Sequence, residues 1–327
     1  MTGTATPTID VHLTADDLRA ALENDVRVGL TAEAKWLPPV WFYDDRGSAL
    51  FDEITRLEEY YPTRAERALL EAHAAEIAAR SGADTLVELG SGTSDKSRVL
   101  LDAFLAAGSL RRYVPLDVSD GTLWTAANEL VREYPGLEVH AVVGDFDRHI
   151  GLIPSEGRRM VAFLGSTIGN FYPEHRRRFL FDLDCTMAHG DSFLLGTDLI
   201  KDEKKLIAAY DDAAGVTAEF NRNVLHVLNR ELHADFRPER FQHVALWNEE
   251  EHRIEMRLRS LEDQRVPIAD LDLEVSFPVG EDLLTEISTK FTREGVEAEL
   301  FEAGFIVDAM WGAPEGEFLL TLATPYC

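Results

Sequence analysis

The chain predicts an α/β protein in which a parallel sheet, covered by helices, is joined to a second, smaller α+β unit. Three observations carry this. Strands and helices alternate from Thr85 to about Ile200. A glycine turn, VELGSGTSDKSRVLL (Val87 to Leu101), joins the first of these strands to its helix. The alternation then stops at Lys201 and gives way to a long helical stretch and antiparallel patterns. Alternation of this kind specifies a parallel sheet with both faces covered.

The elements follow in order. Thr14 to Glu23 reads as a helix, with Thr14 as N-cap and Asp17 three residues on, close to a capping box. Gly47–Leu57 and Thr63–Arg80 are helical; the second places Ala65, Ala68, Leu69, Ala72 and Ala75 on one face. TLVEL, RYVPLD, LEVHAVVGD, RRMVAFLG and SFLLGTDL are strands, separated by helices over Ser94–Ala107, Leu123–Glu133 and Glu174–Ala188. One long helix is expected over Ala208–Leu232 and a hairpin over FQHVALWNEEEHRIEMRLRSL, followed by a strand at LDLEVSFPV. A helix at Val296–Ala303 and strands FIVDAMWG and EFLLTLATPY close the chain as a hairpin able to return to the first sheet. Residues 64–200 and 294–327 are therefore expected to form one domain, and residues 1–63 and 201–293 the other.

Composition narrows the function. With 32 Lys+Arg against 59 Asp+Glu, the net charge is −27. Such a surface repels phosphate backbones and anionic lipid, so neither nucleic acid nor membrane is expected as a partner. Two cysteines, Cys185 and Cys327, offer no disulfide framework or zinc spacing. The N-terminus lacks a basic, then apolar leader, and no apolar run approaches a membrane span. A cytoplasmic protein, expected to be a monomer without a metal, is the reading. The histidines form no H-E-x-x-H or Cys/His cluster, and GSTIG lacks a nucleophile-elbow serine.

The glycine turn poses the question of its ligand. A dinucleotide fingerprint needs a third glycine where Asp95 stands, and a P-loop needs Gly-Lys-Ser where the chain has Asp-Lys-Ser. An aspartate at that helix start also repels a pyrophosphate. S-adenosylmethionine carries no phosphate. Gly90 permits close backbone approach, Lys96 offers a cation near the turn, and Asp117, ending YVPLD, suits a ribose diol. Asp145 suits the adenine amine, with Phe146 beside the ring. A plain structural turn, with Lys96 as a solvated lysine, is the bland alternative.

At this point VELGSGTSDKS, YVPLDVS, GDF and FLGSTIGNF, together with EYYPTRAE and LLTEISTKF, resemble the S-adenosylmethionine-dependent histidine Nα-methyltransferases of ergothioneine biosynthesis. The likeness spans nearly the whole chain. It implies a Rossmann-like class I methyltransferase sheet with a smaller substrate-binding domain. It also implies three methyl transfers to the α-amino nitrogen of L-histidine, giving hercynine. By this resemblance Gly90, Lys96, Asp117, Asp145 and Phe146 match cofactor positions, and Tyr60, Asn170, Tyr210, Met256, Glu286 and Ser288 match substrate positions. Asn170 and Tyr210 then hold the carboxylate, while Glu286 and Ser288 address the imidazole. Met256 and Tyr43 line the pocket, and Tyr43 is in addition a candidate for orienting the amine or relaying its proton. The chemistry suits the residue types: an Asn and a Tyr hydroxyl can bind a carboxylate, and a Glu can accept an imidazole N–H. A methyltransferase for another amino acid or small amine, and a non-catalytic nucleotide-binding protein, stand as the rival readings.

Overall fold

The structure, a computed structural model, describes residues 6–326; Cys327 and the first five residues lie outside it. Its strands are β1 (Thr8–Val11), β2 (Thr85–Leu89), β3 (Arg112–Asp117), β4 (Glu138–Val143), β5 (Arg159–Phe163), β6 (Ser192–Asp198), β7 (Phe241–Asn248), β8 (Arg253–Ser260), β9 (Gln264–Ile268), β10 (Leu273–Phe277), β11 (Asp282–Thr289), β12 (Phe305–Gly312) and β13 (Phe318–Pro325). Its helices are α1 (Ala15–Thr31), α2 (Asp45–Ile54), α3 (Tyr61–Ser81), α4 (Ser97–Ala106), α5 (Asp120–Glu133), α6 (Phe146–His149), α7 (Pro173–Thr186), α8 (Glu203–Tyr210), α9 (Val216–Leu232) and α10 (Arg293–Glu302). They divide into two compact units. The first holds the segment ending at Leu13, Pro62–Ile200 and the chain from Phe291 on; the second holds Thr14–Tyr61 and Lys201–Lys290.

The first unit is built on an eight-stranded sheet in the order β1-β4-β3-β2-β5-β6-β13-β12. β1 to β6 run parallel, and β13 and β12 return antiparallel at one edge. Without β1 this is the class I methyltransferase sheet with its reversed terminal hairpin. Residues alternate between two cores, as strands with both faces covered require. Leu86 and Tyr113 belong to one core, Val87, Leu89 and Val114 to the other. The order reverses direction between β2 and β5, which places a ligand site beyond the carboxyl ends of the central strands.

The second unit combines helices with a three-stranded sheet, β11-β8-β7, and a separate ribbon, β10-β9. Its core includes Phe42, Phe220, Leu225, Met256 and Leu283. The capping box predicted at Thr14 forms: Asp17 N–H donates to Thr14 Oγ1 at 3.2 Å, and Thr14 N–H to Asp17 Oδ2 at 3.0 Å.

The structure departs from the sequence reading at several places. The stretch expected as one helix over Ala208–Leu232 is two, α8 and α9, broken at Asp211–Gly215. Asp212 stops the run by accepting the N–H groups of Val216 and Thr217 at 3.0 and 2.7 Å, while Gly215 adopts φ 78°. Local carboxylate capping outcompetes helix continuation here. The leader contains β1, which joins the edge of the first sheet instead of the second unit. The helix expected from Ser94 starts at Ser97, because Ser94 itself is left-handed at φ 58°. Finally, β9 and β11 escaped the sequence reading, and β11 carries much of the candidate site.

Candidate active site

In the first unit the chain leaves β2 and turns at once. Gly90, at φ 68°, and Gly92, at φ 51°, take the left-handed conformation that other residues adopt only at a cost. The turn is tied to the neighbouring strand end. Gly90 N–H donates to the Leu116 carbonyl at 2.8 Å, and Gly92 N–H to Asp117 Oδ2 at 2.9 Å. The other Asp117 oxygen accepts Ser119 N–H at 2.9 Å. Burial pushes the Asp117 carboxyl above its ordinary value, against these backbone hydrogen bonds, which favour the charged form. Each carboxylate oxygen has a second lone-pair site, so a diol can still be accepted.

Glu88, next to last in the same strand, is buried and turned inward. Ser97 Oγ and Tyr113 Oη both hydrogen-bond to its Oε2. Burial nevertheless pushes its carboxyl up to about 7. Glu88 thereby braces the turn to the start of α4 and to β3.

Phe146 follows Asp145 beyond β4 and opens a four-ring cluster, 5.2 Å from Phe163 and 6.0 Å from both Phe171 and Phe179 between centroids. The Gly90 backbone lies against the Phe146 ring: a Cβ on Gly90 would sit 3.7 Å from it. Asp145 caps α6 through Asp147 N–H at 2.9 Å. Lys96 is paired with Glu66, a residue the sequence reading did not single out. Glu66 is fully buried, and its Oε1 also accepts Gly165 N–H at 2.7 Å. A side chain at position 196 would displace it, since a Cβ on Gly196 would lie 2.1 Å from Oε1. Lys96 thus has a fixed seat at the ends of β2 and β5. Asn170 closes a short 3-10 turn, Thr167–Asn170, after β5.

The second unit brings together most of the predicted substrate residues. Glu286 and Ser288 lie on β11, directly opposite Met256 and Ile254 of β8. A β-bulge between Leu284 and Glu286 makes this possible. In a regular strand the face beginning with Leu283 would continue through Thr285, Ile287 and Thr289. The extra residue transfers it to Glu286 and Ser288. Thr285 Oγ1 fixes the bulge, 2.7 Å from Asn221 Oδ1 and 3.0 Å from the Met256 carbonyl. Asn221 Nδ2 in turn donates to His243 Nδ1 at 2.8 Å, and His243 Nε2 bonds the Tyr210 carbonyl at 2.8 Å. Burial holds His243 below its usual value, in keeping with a neutral ring in this chain.

Tyr210 Oη and Ser288 Oγ are 2.8 Å apart. The sequence reading missed a third member, Lys290. Its Nζ donates to Tyr210 Oη at 2.8 Å and to Ser288 Oγ at 2.9 Å, and only 2% of the residue is exposed. The clue was present in E-I-S-T-K, which places carboxylate, hydroxyl and ammonium two residues apart. Burial pushes the Glu286 carboxyl up to about 7, and the charge of Lys290 works against this. An aromatic path leads away from Tyr210. Tyr60 stands 6.3 Å from it, Phe51 6.2 Å from Tyr60, and Tyr43 5.6 Å from Phe51 and 5.5 Å from Phe220. Tyr43 and Tyr60 are half-buried.

The arrangement comprises a glycine turn with a strand-end carboxylate in one unit and a buried carboxylate–hydroxyl–ammonium row in the other. It fits the comparisons with known proteins. Residues 22–325 match the family described as histidine-specific, S-adenosylmethionine-dependent methyltransferases. The chain belongs to this family. It is 59% identical to a histidine Nα-methyltransferase of Mycolicibacterium smegmatis over 95% of this chain and 97% of that one. The corresponding protein of Mycobacterium tuberculosis is 56% identical over the same shares. An L-tryptophan methyltransferase of Psilocybe serbica is 27% identical over 88% of this chain and 87% of that one. No helix among the described residues is long and apolar enough to cross a membrane.

Proposed function

We propose that this protein transfers methyl groups from S-adenosylmethionine to the α-amino nitrogen of L-histidine until the nitrogen carries three, giving hercynine, the first step of ergothioneine biosynthesis. The observation that carries the reading is the buried ring subsite: Glu286 and Ser288 on one strand face, with Met256 opposite. An imidazole has two ring nitrogens to satisfy two polar partners. An indole has one, which leaves Ser288 without a ring partner, and a phenyl ring has none, which leaves Glu286 unpaired.

The residues of the first unit suit the methyl donor. Gly90 admits it close to the backbone, Asp117 retains acceptor capacity for a ribose diol, and Phe146 presents a ring beside the glycine. Asp145 is our assignment for the adenine amine and Lys96, seated by Glu66, for the methionine carboxylate. When bound, S-adenosylmethionine supplies a methyl group on a sulfonium, which needs no metal and no covalent enzyme intermediate. The protein's part is to orient the amine and exclude water. We assign Asn170 and Tyr210 to the substrate carboxylate, Tyr60 to the wall beside Tyr210, and Tyr43 to the amine end as an orienting hydroxyl or a lining ring. The protein is incubated with L-histidine and S-adenosylmethionine and the products are read by mass spectrometry. A gain of three methyl groups, placed on the α-nitrogen by fragmentation, is expected. Methylation confined to the imidazole, or none, overturns the proposal.

A further inference from the structure

His149, the last residue of α6, is a half-buried imidazole outside the assigned site residues. It holds both backbone polar groups of Asp145. Asp145 N–H donates to His149 Nδ1 at 3.0 Å, and the Asp145 carbonyl accepts His149 N–H at 2.8 Å. We propose that His149 is a positioning residue for the adenine end of the cofactor site: its Nδ1 fixes Asp145 so that one carboxylate oxygen stays available to the adenine amine. The proposal rests on the assignment of Asp145 to that amine.

Three observations lead there. The first is what Asp145 has left to offer. Its Oδ1 accepts Asp147 N–H at 2.9 Å. Arg148 Nε stands 3.6 Å from Oδ2, beyond hydrogen-bond reach. Among the described residues Oδ2 therefore keeps its hydrogen-bonding capacity for a ligand. An exocyclic amine donates and a carboxylate accepts, so the two match. The second is where Asp145 is anchored. Gly144 N–H donates to the Asp117 carbonyl at 2.9 Å, which fastens the residue before Asp145 to the one assigned to the ribose. Rotation of the backbone between Gly144 and Asp145 would change the spacing of the two carboxylates, and the bond from Asp145 N–H to the imidazole opposes that rotation. The third is which of these bonds needs a particular side chain. The N–H groups of Asp147 and His149 are backbone, and any residue but proline supplies them. The bond from Asp145 N–H needs an acceptor on the side chain at position 149, and a neutral imidazole with its proton on Nε2 provides one. Gly144 makes room for it, since a Cβ there would lie 3.3 Å from both Cβ and Nδ1 of His149. His12, just after β1, stacks on the same ring with centroids 6.1 Å apart.

The test isolates the adenine amine. S-adenosylhomocysteine is compared with its deamino analogue, which carries hydrogen in place of the 6-amino group. Dissociation constants are measured by calorimetry at a single pH. The wild type should bind the analogue about tenfold more weakly, the size of one hydrogen bond to a charged acceptor. His149→Phe and His149→Leu both remove the acceptor, the first keeping a ring, and in either the preference should fall below about threefold. His149→Asn places an amide oxygen near the position of Nδ1 and should restore the preference to within about twofold of the wild type. A histidine that merely packs would weaken both ligands alike and leave their ratio unchanged. A folded His149→Phe or His149→Leu protein that keeps the tenfold preference therefore overturns the proposal, and so does a His149→Asn protein that loses it as fully as they do. Asp145→Ala should bring the ratio to about one. A ratio that survives Asp145→Ala, or a wild type without preference, removes the assignment of Asp145 itself, a different outcome from a ratio lost with Asp145 and kept without His149.

Discussion

Glu88 and Glu286 are both buried glutamates on strands, and burial pushes both carboxyls up to about 7. Their surroundings differ. Glu88 is closed in by two hydroxyl donors, Ser97 and Tyr113, which belong to the start of α4 and to the neighbouring strand. Glu286 has the Lys290 ammonium near it, as Glu88 has that of Lys96, but no hydroxyl bonded to its carboxylate among the described residues; Lys290 donates to Tyr210 and Ser288. A buried carboxylate whose acceptors are filled by the fold is a brace. One supplied with no such pair of hydroxyls among the described residues is suited to a ligand. The contrast separates structural from recognition roles where burial alone would not.

The largest effect that sharpens the contrast is a stability difference at Glu286. Its folded value, about 7, lies above the ordinary 4.5, so the folded state holds the proton more tightly than the unfolded state. Stability from this group is therefore lost as pH rises between those values. Glu286→Gln, which mimics the protonated side chain, should be more stable than the wild type by about 3 kcal/mol above pH 7, with the gap closing toward pH 4.5. Urea midpoints across that range measure it, and a gap independent of pH would count against the assignment. Next, Tyr113→Phe removes one of the donors that close in Glu88. A stability loss of about 1.5–3 kcal/mol is expected, with the preference for histidine over phenylalanine in kcat/KM unchanged. If that preference moved with Tyr113, Glu88 would be more than a brace. The smallest effect concerns Thr285→Val, which removes the hydroxyl that pins the bulge. A loss of about 1 kcal/mol in histidine recognition is expected, read as a several-fold rise in KM with cofactor affinity unaltered. An unchanged KM would mean the backbone holds the bulge unaided.

The two units were not equally legible. In the first unit, backbone geometry writes itself into the sequence. A left-handed turn demands glycine, so Gly90 and Gly92 announce the loop, and Asp117 and Asp145 follow strand ends marked by apolar runs. Glu66 was hidden because nothing in the pattern of α3 says that position 66 faces a lysine thirty residues on. In the second unit, LLTEIST was not read as a strand. The bulge interrupts its alternation, so the face that begins with Leu283 continues at Glu286, one residue out of phase in the sequence. Family resemblance supplied Glu286 and Ser288, but Lys290 needed coordinates. The break between α8 and α9 was missed for a related reason. The helical pattern runs across it, and only the capping by Asp212 shows where the chain turns.

The bulge at Thr285 has a bearing on how such pockets diverge. The segment from Thr285 to Lys290 carries two alternative linings: Glu-Ile-Ser-Thr-Lys read from position 286 gives an acid, a hydroxyl and an ammonium, while the other parity gives threonine, isoleucine and threonine. Which lining faces the pocket is decided by counting, through one surplus residue, and not by composition. Two chains with the same letters here can thus present opposite chemistries, if one has the surplus residue and the other has lost it a few positions upstream. Comparing substrate pockets across relatives therefore requires matching the phase of this strand before matching its residues.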